Sequence, residues 1–263
     1  MDKKFTTEKT DSIFYGNYSI VESEINYSHT VSFSHLVDLT RVEEVRRSCG
    51  DGIKPTYTAF IAKAIALAMQ DFPFVNRRFY RPFGIFPRRF QNFKTVDISI
   101  ASETDIPNAE YVSFIDVLRQ AEVLSLEEIT SWLYQLRTRP EENEQWKMFR
   151  ALLTRYPRWL AKWLIRIPLF FPTLWVRYRG GAVLISSPAK YGVDAVVGSW
   201  PSPLGVSFGL VKDRALVKDG CVVACPSFFL LLNFDRRLMA GAPAARFFHR
   251  VIDILETWPA PAS

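Results

Sequence analysis

The sequence predicts an α/β domain, and three observations carry that prediction. Thr56 to Phe72, TYTAFIAKAIALAMQDF, is dominated by alanine and leucine-type residues with only Lys63 and Asp71 charged, so it predicts a helix buried nearly all round. Phe228 to Leu232 is an apolar run with the length of one buried strand. A polar knot follows, Asn233-Phe234-Asp235-Arg236-Arg237, and then a break at Ala240-Gly241-Ala242-Pro243. Past the break, Ala245, Phe248, Ile252 and Leu255 recur every three or four positions, the mark of a helix with one buried face, and Pro243 suits its first turn. A rigid strand ending in charged residues before a helix is a way to deliver side chains to a cleft.

The remaining elements follow in chain order. Residues 1–12 read as a flexible lead and 13–263 as one domain. Asn26 to Leu39 alternates in part, with Tyr27, His29, Val31 and Phe33 against Ser28, Thr30, Ser32 and Ser34, which predicts a strand with one wet face. Val42 to Arg47 is a short helix with Asp38 or Thr40 as its cap. Arg77 to Phe93 mixes five arginines with six aromatics. That composition suits a nucleic-acid patch or, the favoured reading, a twisted hairpin with its aromatics packed inward. Val96 to Ser102 alternates as a strand. Ser125 to Arg139 is a helix with Ser125 and Glu128 at capping-box spacing. Ala182 to Ile185 is a strand that ends in two hydroxyls, Ser186 and Ser187. Leu204 to Val211 and a hairpin turning at Asp219-Gly220 complete the pattern.

Composition bounds the rest. A chain of 263 residues with 48% hydrophobic content supports one large core. Cys49, Cys221 and Cys225 predict a reducing compartment without a disulfide framework, and no histidine cluster accompanies them to suggest a metal. The polar start, MDKKFTTEKTDS, carries no secretion signal, so the expected place is the cytoplasm. No uncharged apolar run reaches the roughly 18 residues of a membrane span. The net charge of +6 permits an acidic partner without naming one.

The run from Phe234 to Phe247 resembles a known signature: aromatic-Asp-His-Arg-x-x-Asp/Asn-Gly-Ala-x-Ala-Ala-Arg-Phe. It belongs to the catalytic domain of the dihydrolipoyl acyltransferases of 2-oxoacid dehydrogenase complexes, relatives of chloramphenicol acetyltransferase. Phe234, Asp235, Arg237, Gly241, Ala242, Ala244, Ala245, Arg246 and Phe247 match it. Arg236 stands at the histidine position and Ala240 at the Asp/Asn position. Thr56 to Asn76 resembles the family's long helix and its F-P-x-L-N exit. Gly180 to Gly192 resembles G-G-x-F-T-I-S-(N/S)-x-G-x-x-G, with Pro188 replacing a loop residue. Tyr111 to Ile129 resembles a further family run, although Thr104 to Glu110 lacks the usual glycine.

The resemblance implies a two-layer sandwich, a mixed sheet packed by helices, and a homotrimer with its sites between subunits. It implies acyl transfer from a thioester of CoA or an acyl-carrier protein, with no covalently bound cofactor. A hydroxyl of the Ser186-Ser187 pair then stabilises the oxyanion, or both serines satisfy a turn. Arginine cannot act as the base that the family's histidine supplies, because it stays charged and only donates. Arg236 then clamps an anionic or thioester group, and His29 or His35 supplies the base, His35 being better read as a strand histidine. Asn233, Asp235, Arg237 and Tyr191 are the expected substrate-binding residues. With no lipoyl domain or Ala/Pro linker in view, the expected function is that of a stand-alone acyltransferase-like protein in a biosynthetic or lipid pathway. The alternative is a non-catalytic binding or scaffolding relative. Nucleic-acid binding ranks last.

One segment departs from the family. From Gln145 to Val193 there is no acidic residue, and Trp146, Trp159, Trp163 and Trp175 lie among arginines and lysines. This basic, aromatic helical insert at about 140–179 has three readings: a face lying on an anionic membrane or holding a fatty chain, a landing site for an acidic carrier protein, or a helical extra packed on its own domain with arginines snorkelling.

Overall fold

The computed structural model describes residues 4–9, 29–49, 53–104, 112–139, 144–157, 166–198 and 200–259, together with 142, 160 and 164. In order the elements are β1 Phe5–Lys9, β2 Thr30–Asp38, α1 Thr40–Ser48, α2 Tyr57–Asp71, β3 Arg77–Tyr80, β4 Arg89–Phe93, β5 Ile98–Thr104 and β6 Val112–Leu118. Then come α3 Leu126–Thr138, α4 Glu144–Arg155, α5 Pro172–Arg179, β7 Val183–Ile185, β8 Leu204–Phe208, β9 Lys212–Lys218, β10 Cys221–Asp235 and α6 Gly241–Glu256.

The main sheet runs β2-β10-β8-β7-β5-β6, with β9 paired to the first half of β10. It is mixed: β5, β7 and β8 are parallel, and the other pairs are antiparallel. Alternation along β10 sends Phe228, Leu230, Leu232 and Phe234 into one core with the helices. There α2 and α6 pack together, and Phe60 meets Trp258 edge-on at 5.0 Å. The other face is covered opposite β8 by the segment before it. Trp200 lies flat on Gly205, where an added Cβ would stand 2.1 Å from the indole, and the Ser207 hydroxyl donates to Val196 O at 3.0 Å.

Local chemistry sets the boundaries. Thr56 caps α2 by accepting from the Ala59 N–H, and Ser125 and Glu128 close a full capping box on α3. Lys63 reaches out of α2 to donate to the carbonyls of Glu122 and Leu124 at 2.9 and 2.7 Å, and burial pulls its ammonium pKa down. Leu39, not a polar residue, occupies the α1 cap. Asp38 instead accepts from both the backbone and the hydroxyl of Thr40, one residue earlier than a cap would stand.

Two expectations need correction. Residues 5–9, read as part of a flexible lead, form β1 and pair with β4 from Phe5↔Phe93 to Lys9↔Arg89. Backbone pairing holds them, which an alternating apolar pattern does not report. The Arg77 to Phe93 hairpin exists as β3 and β4, and Phe79 stacks on Phe90 at 4.5 Å. Its aromatics are not all turned inward. Arg78, Tyr80, Phe90 and Gln91 are buried, whereas Phe83 and Phe86 at the tip are exposed. Arg78 lies 4.0 Å over the Trp175 ring, its Nε donates to Gln91, and burial pushes its guanidinium down to about 9.

In the basic insert, α4 and α5 are formed, and Trp146 and Trp175 are buried against the domain. The amphipathic stretch around Trp159 and Trp163 lies outside the described residues, as do Asn26 to Ser28 at the start of the β2 reading.

Gly209 marks the tightest approach in the covering layer. A Cβ there would stand 1.8 Å from the carbonyl oxygen of Asp194, whose carboxylate holds Lys212 and Arg214 at 2.8 Å each. Gly209→Ala is expected to destabilise the fold by about 2 kcal/mol or more. A melting curve reads this as a Tm lower by roughly 5 °C.

Candidate functional site

β7 is a short parallel strand between β5 and β8, buried at every position. Its C-terminal end delivers Ser186 and Ser187 to the molecular surface, with the Ser186 N–H donating to Val206 O at 3.0 Å. The two hydroxyls have different situations. Ser187 Oγ donates to Phe208 O at 2.6 Å and accepts from the Ala189 N–H at 3.1 Å, which closes the turn into residues 189–191. The Ser186 hydroxyl has no protein partner among the described residues.

Ser186 stands where two cavities adjoin. One, of about 200 Å³, is lined by Thr56, Thr58, Ser102, Leu133 and Arg137. The other, of about 260 Å³, is lined by Pro188, Lys190, Tyr191, Val196 and Trp200. Ala101, Ser186 and Ser187 border both. Concave space with a few convergent polar groups is the usual form of a small-molecule site. Sequence reasoning missed Trp200, whose indole Nε1 is buried without a hydrogen-bond partner among the described residues. A lone tryptophan between Ser199 and Pro201 gives no periodic signal, and its place over Gly205 depends on tertiary packing.

The charged knot lies elsewhere. Asn233 is buried, accepts from the Ser32 hydroxyl at 2.6 Å and donates to Gly205 O, tying three strands together. Asp235 accepts from Arg237 through both carboxylate oxygens, with Nη2 to Oδ2 at 2.7 Å. Arg236 is exposed. Its backbone N–H donates to His29 O at 2.8 Å, and continuing the β2–β10 register by one residue sets Arg236 opposite His29. The Nδ1 atom of His29 is buried without a hydrogen-bond partner among the described residues. His35 is half-exposed on the edge strand, 3.9 Å from the Glu256 carboxylate.

The registers separate these groups. Ile185 is level with Val206 and Phe234 with Leu204. Ser186 and Arg236 are therefore about five residues apart along the strands, roughly 16 Å, at opposite ends of the sheet. One chain brings Ser186, Ser187 and Tyr191 together, and brings His29 and Arg236 together. It does not join the two sets.

A mixed sheet packed by helices, with a strand end opening on cavities, is the chloramphenicol acetyltransferase-like class of fold. Chloramphenicol acetyltransferase itself superposes with a TM-score of 0.58 at 12% identity, covering 95% of this chain and 100% of that one. Within the class, the proteins this chain is similar to are dihydrolipoyl acyltransferases. Residues 19–145 match the family model described as 2-oxoacid dehydrogenases acyltransferase (catalytic domain). The dihydrolipoyllysine-residue acetyltransferase component of the Bacillus subtilis pyruvate dehydrogenase complex is 24% identical over 268 residues, which is 95% of this chain and 50% of that protein. A probable dihydrolipoamide acetyltransferase from Listeria monocytogenes superposes with a TM-score of 0.62 at 18% identity, covering 97% of this chain and 94% of that one. The Azotobacter vinelandii dihydrolipoamide acetyltransferase, in a study of the role of a serine, a histidine and an asparagine in its catalytic mechanism, gives 0.63 at 19%, covering 95% and 91%. At these identities the structural likeness shows the fold. The chain spans about half the length of the curated relatives it matches.

Proposed function

We propose that this protein binds acyl thioesters, of CoA or of an acyl-carrier protein, and transfers the acyl group at a site completed between two copies of the chain. The observation that carries this is the unengaged Ser186 hydroxyl at the junction of two cavities. A nucleophile attacking the thioester carbonyl pushes its π electrons onto oxygen, and a hydroxyl placed there donates to that oxyanion. Collapse of the intermediate expels the thiolate, which takes up the proton the nucleophile lost.

The proton needs a carrier. The histidine and the asparagine named for the Azotobacter enzyme stand four positions apart, as do Arg236 and Ala240 here. Guanidinium does not accept a proton, so we assign that part to His29, which the register sets opposite Arg236. Arg236 then supplies a fixed positive charge for the thiolate or for an anionic acceptor. Because Ser186 lies at the far end of the sheet from His29, the complete set requires a second copy, consistent with a homotrimer.

The same substitutions favour a second reading, in which the protein binds acyl thioesters without turning them over. Incubation with acyl-CoA and candidate amine, hydroxyl and thiol acceptors, with free thiol followed by colour, separates the two. Saturable thiol release supports transfer, and tight acyl-CoA binding without release supports the binder. Absence of both, or a strictly monomeric chain at assay concentration, sinks the proposed site.

A further inference from the structure

We propose that the tip of the β3–β4 hairpin and the turn before α5 form one surface that seats this protein on an anionic membrane. The sequence places these segments some 80 residues apart, and the fold joins them. The Phe83 ring meets Phe171 edge-on at 5.5 Å and Phe86 at 6.1 Å. Beneath the rings the buried side chains of Arg78 and Gln91 donate to the carbonyls of Leu169 and Pro172, at 3.3 and 3.1 Å. The hairpin and the turn are thus held as one unit.

What that unit presents is apolar and large. Phe83 is 65% exposed and Ile85 79%, and Phe86, Leu169 and Phe171 are exposed beside them. Phe83 adopts a φ of +50°, in the left-handed region that a bulky residue adopts only at a cost. Strained residues of this kind persist where the surroundings hold them, and they cluster at functional positions.

Charge identifies the partner. Residues 72–96 contain no aspartate or glutamate, and neither do 145–193. Arg81 and Arg166 are exposed on these same two segments. Aromatic and aliphatic side chains projecting from a hairpin tip suit shallow insertion at the level of the headgroups, and guanidinium groups near them suit lipid phosphates and carboxylates. The seat is peripheral, since no helix among the described residues is long and apolar enough to cross a membrane. An acidic protein would meet the arginines but would also have to bury the protruding rings in a matching groove. The inference is independent of acyl transfer and stands or falls without any activity measurement.

The test is sedimentation of the full chain with vesicles of phosphatidylcholine alone and of phosphatidylcholine with about 30% phosphatidylserine. Binding to the anionic vesicles is expected to exceed binding to neutral ones by ten-fold or more and to weaken in about 0.5 M salt. Phe83→Ser, Phe86→Ser and Phe171→Ser together should lower it at least ten-fold. Arg81→Gln with Arg166→Gln should lower it on anionic vesicles alone. All five positions are exposed, so circular dichroism and Tm should not move. Failure to bind either vesicle, or equal binding by the triple variant, overturns the proposal. A triple variant that changes the oligomeric state also overturns it, because the patch would then be a contact between copies.

Discussion

Ser186→Ala is expected to lower thioester turnover by about 100-fold or more, the usual effect of removing one oxyanion donor, with little change in Tm. Its hydroxyl makes no contact within the described fold, so removing it leaves no buried group unsatisfied. Ser187→Ala should do the reverse. It deletes a donor to Phe208 O and an acceptor for the Ala189 N–H, a loss of about 1 kcal/mol per hydrogen bond. The turn at residues 189–191 loosens, and turnover falls only as far as the cavity wall at Lys190 and Tyr191 shifts. Steady-state kinetics and melting curves on both variants check this. Equal kcat/KM losses for the two would mean that Ser186 is no more than a neighbour of the turn, and the oxyanion assignment would fail.

Much of this fold was legible because its strongest elements are locally consistent. α2 and α3 carry side-chain caps in agreement with their apolar faces, α6 carries a clear apolar period although Ala240 at its start offers no side-chain cap, and the Asp219-Gly220 turn has the positive φ at both residues that a tight hairpin needs. The core half of β10 was visible as an apolar run for the same reason. What was not legible depends on partners distant in sequence. β1 has no alternating apolar pattern and owes its existence to β4. The tip rings of the hairpin look like core residues in the sequence, and only the packing of β3 and β4 shows that Arg78 and Gln91 took the inside. The distinction between Ser186 and Ser187 rests on where Phe208 O lies, which is a matter of strand order. Strand order also separates the serines from His29 and Arg236, and no spacing along the chain could have shown that.

Arg236→His combined with Ala240→Asn is expected to raise kcat/KM for thioester cleavage by roughly 100-fold, the scale of a positioned general base. The backbone at 236 is already fixed by its N–H bond to His29 O, and Ala240 immediately precedes α6, so both side chains would emerge from held positions. Both are exposed, so neither replacement should alter stability. The double variant also interrogates His29. In the natural sequence His29→Ala should lower turnover by a similar factor, because the protein then has no imidazole at that end of the sheet. In the Arg236→His, Ala240→Asn background the same change should have little effect, because the new histidine carries the proton. That non-additivity is the signature of two groups filling one role. If His29→Ala costs the same in both backgrounds, His29 holds the strand end and takes no proton. If the double variant gains nothing while Ser186→Ala still abolishes turnover, the thioester is opened at the serine end of the sheet without help from the arginine end, and the shared site between copies is not how this protein works.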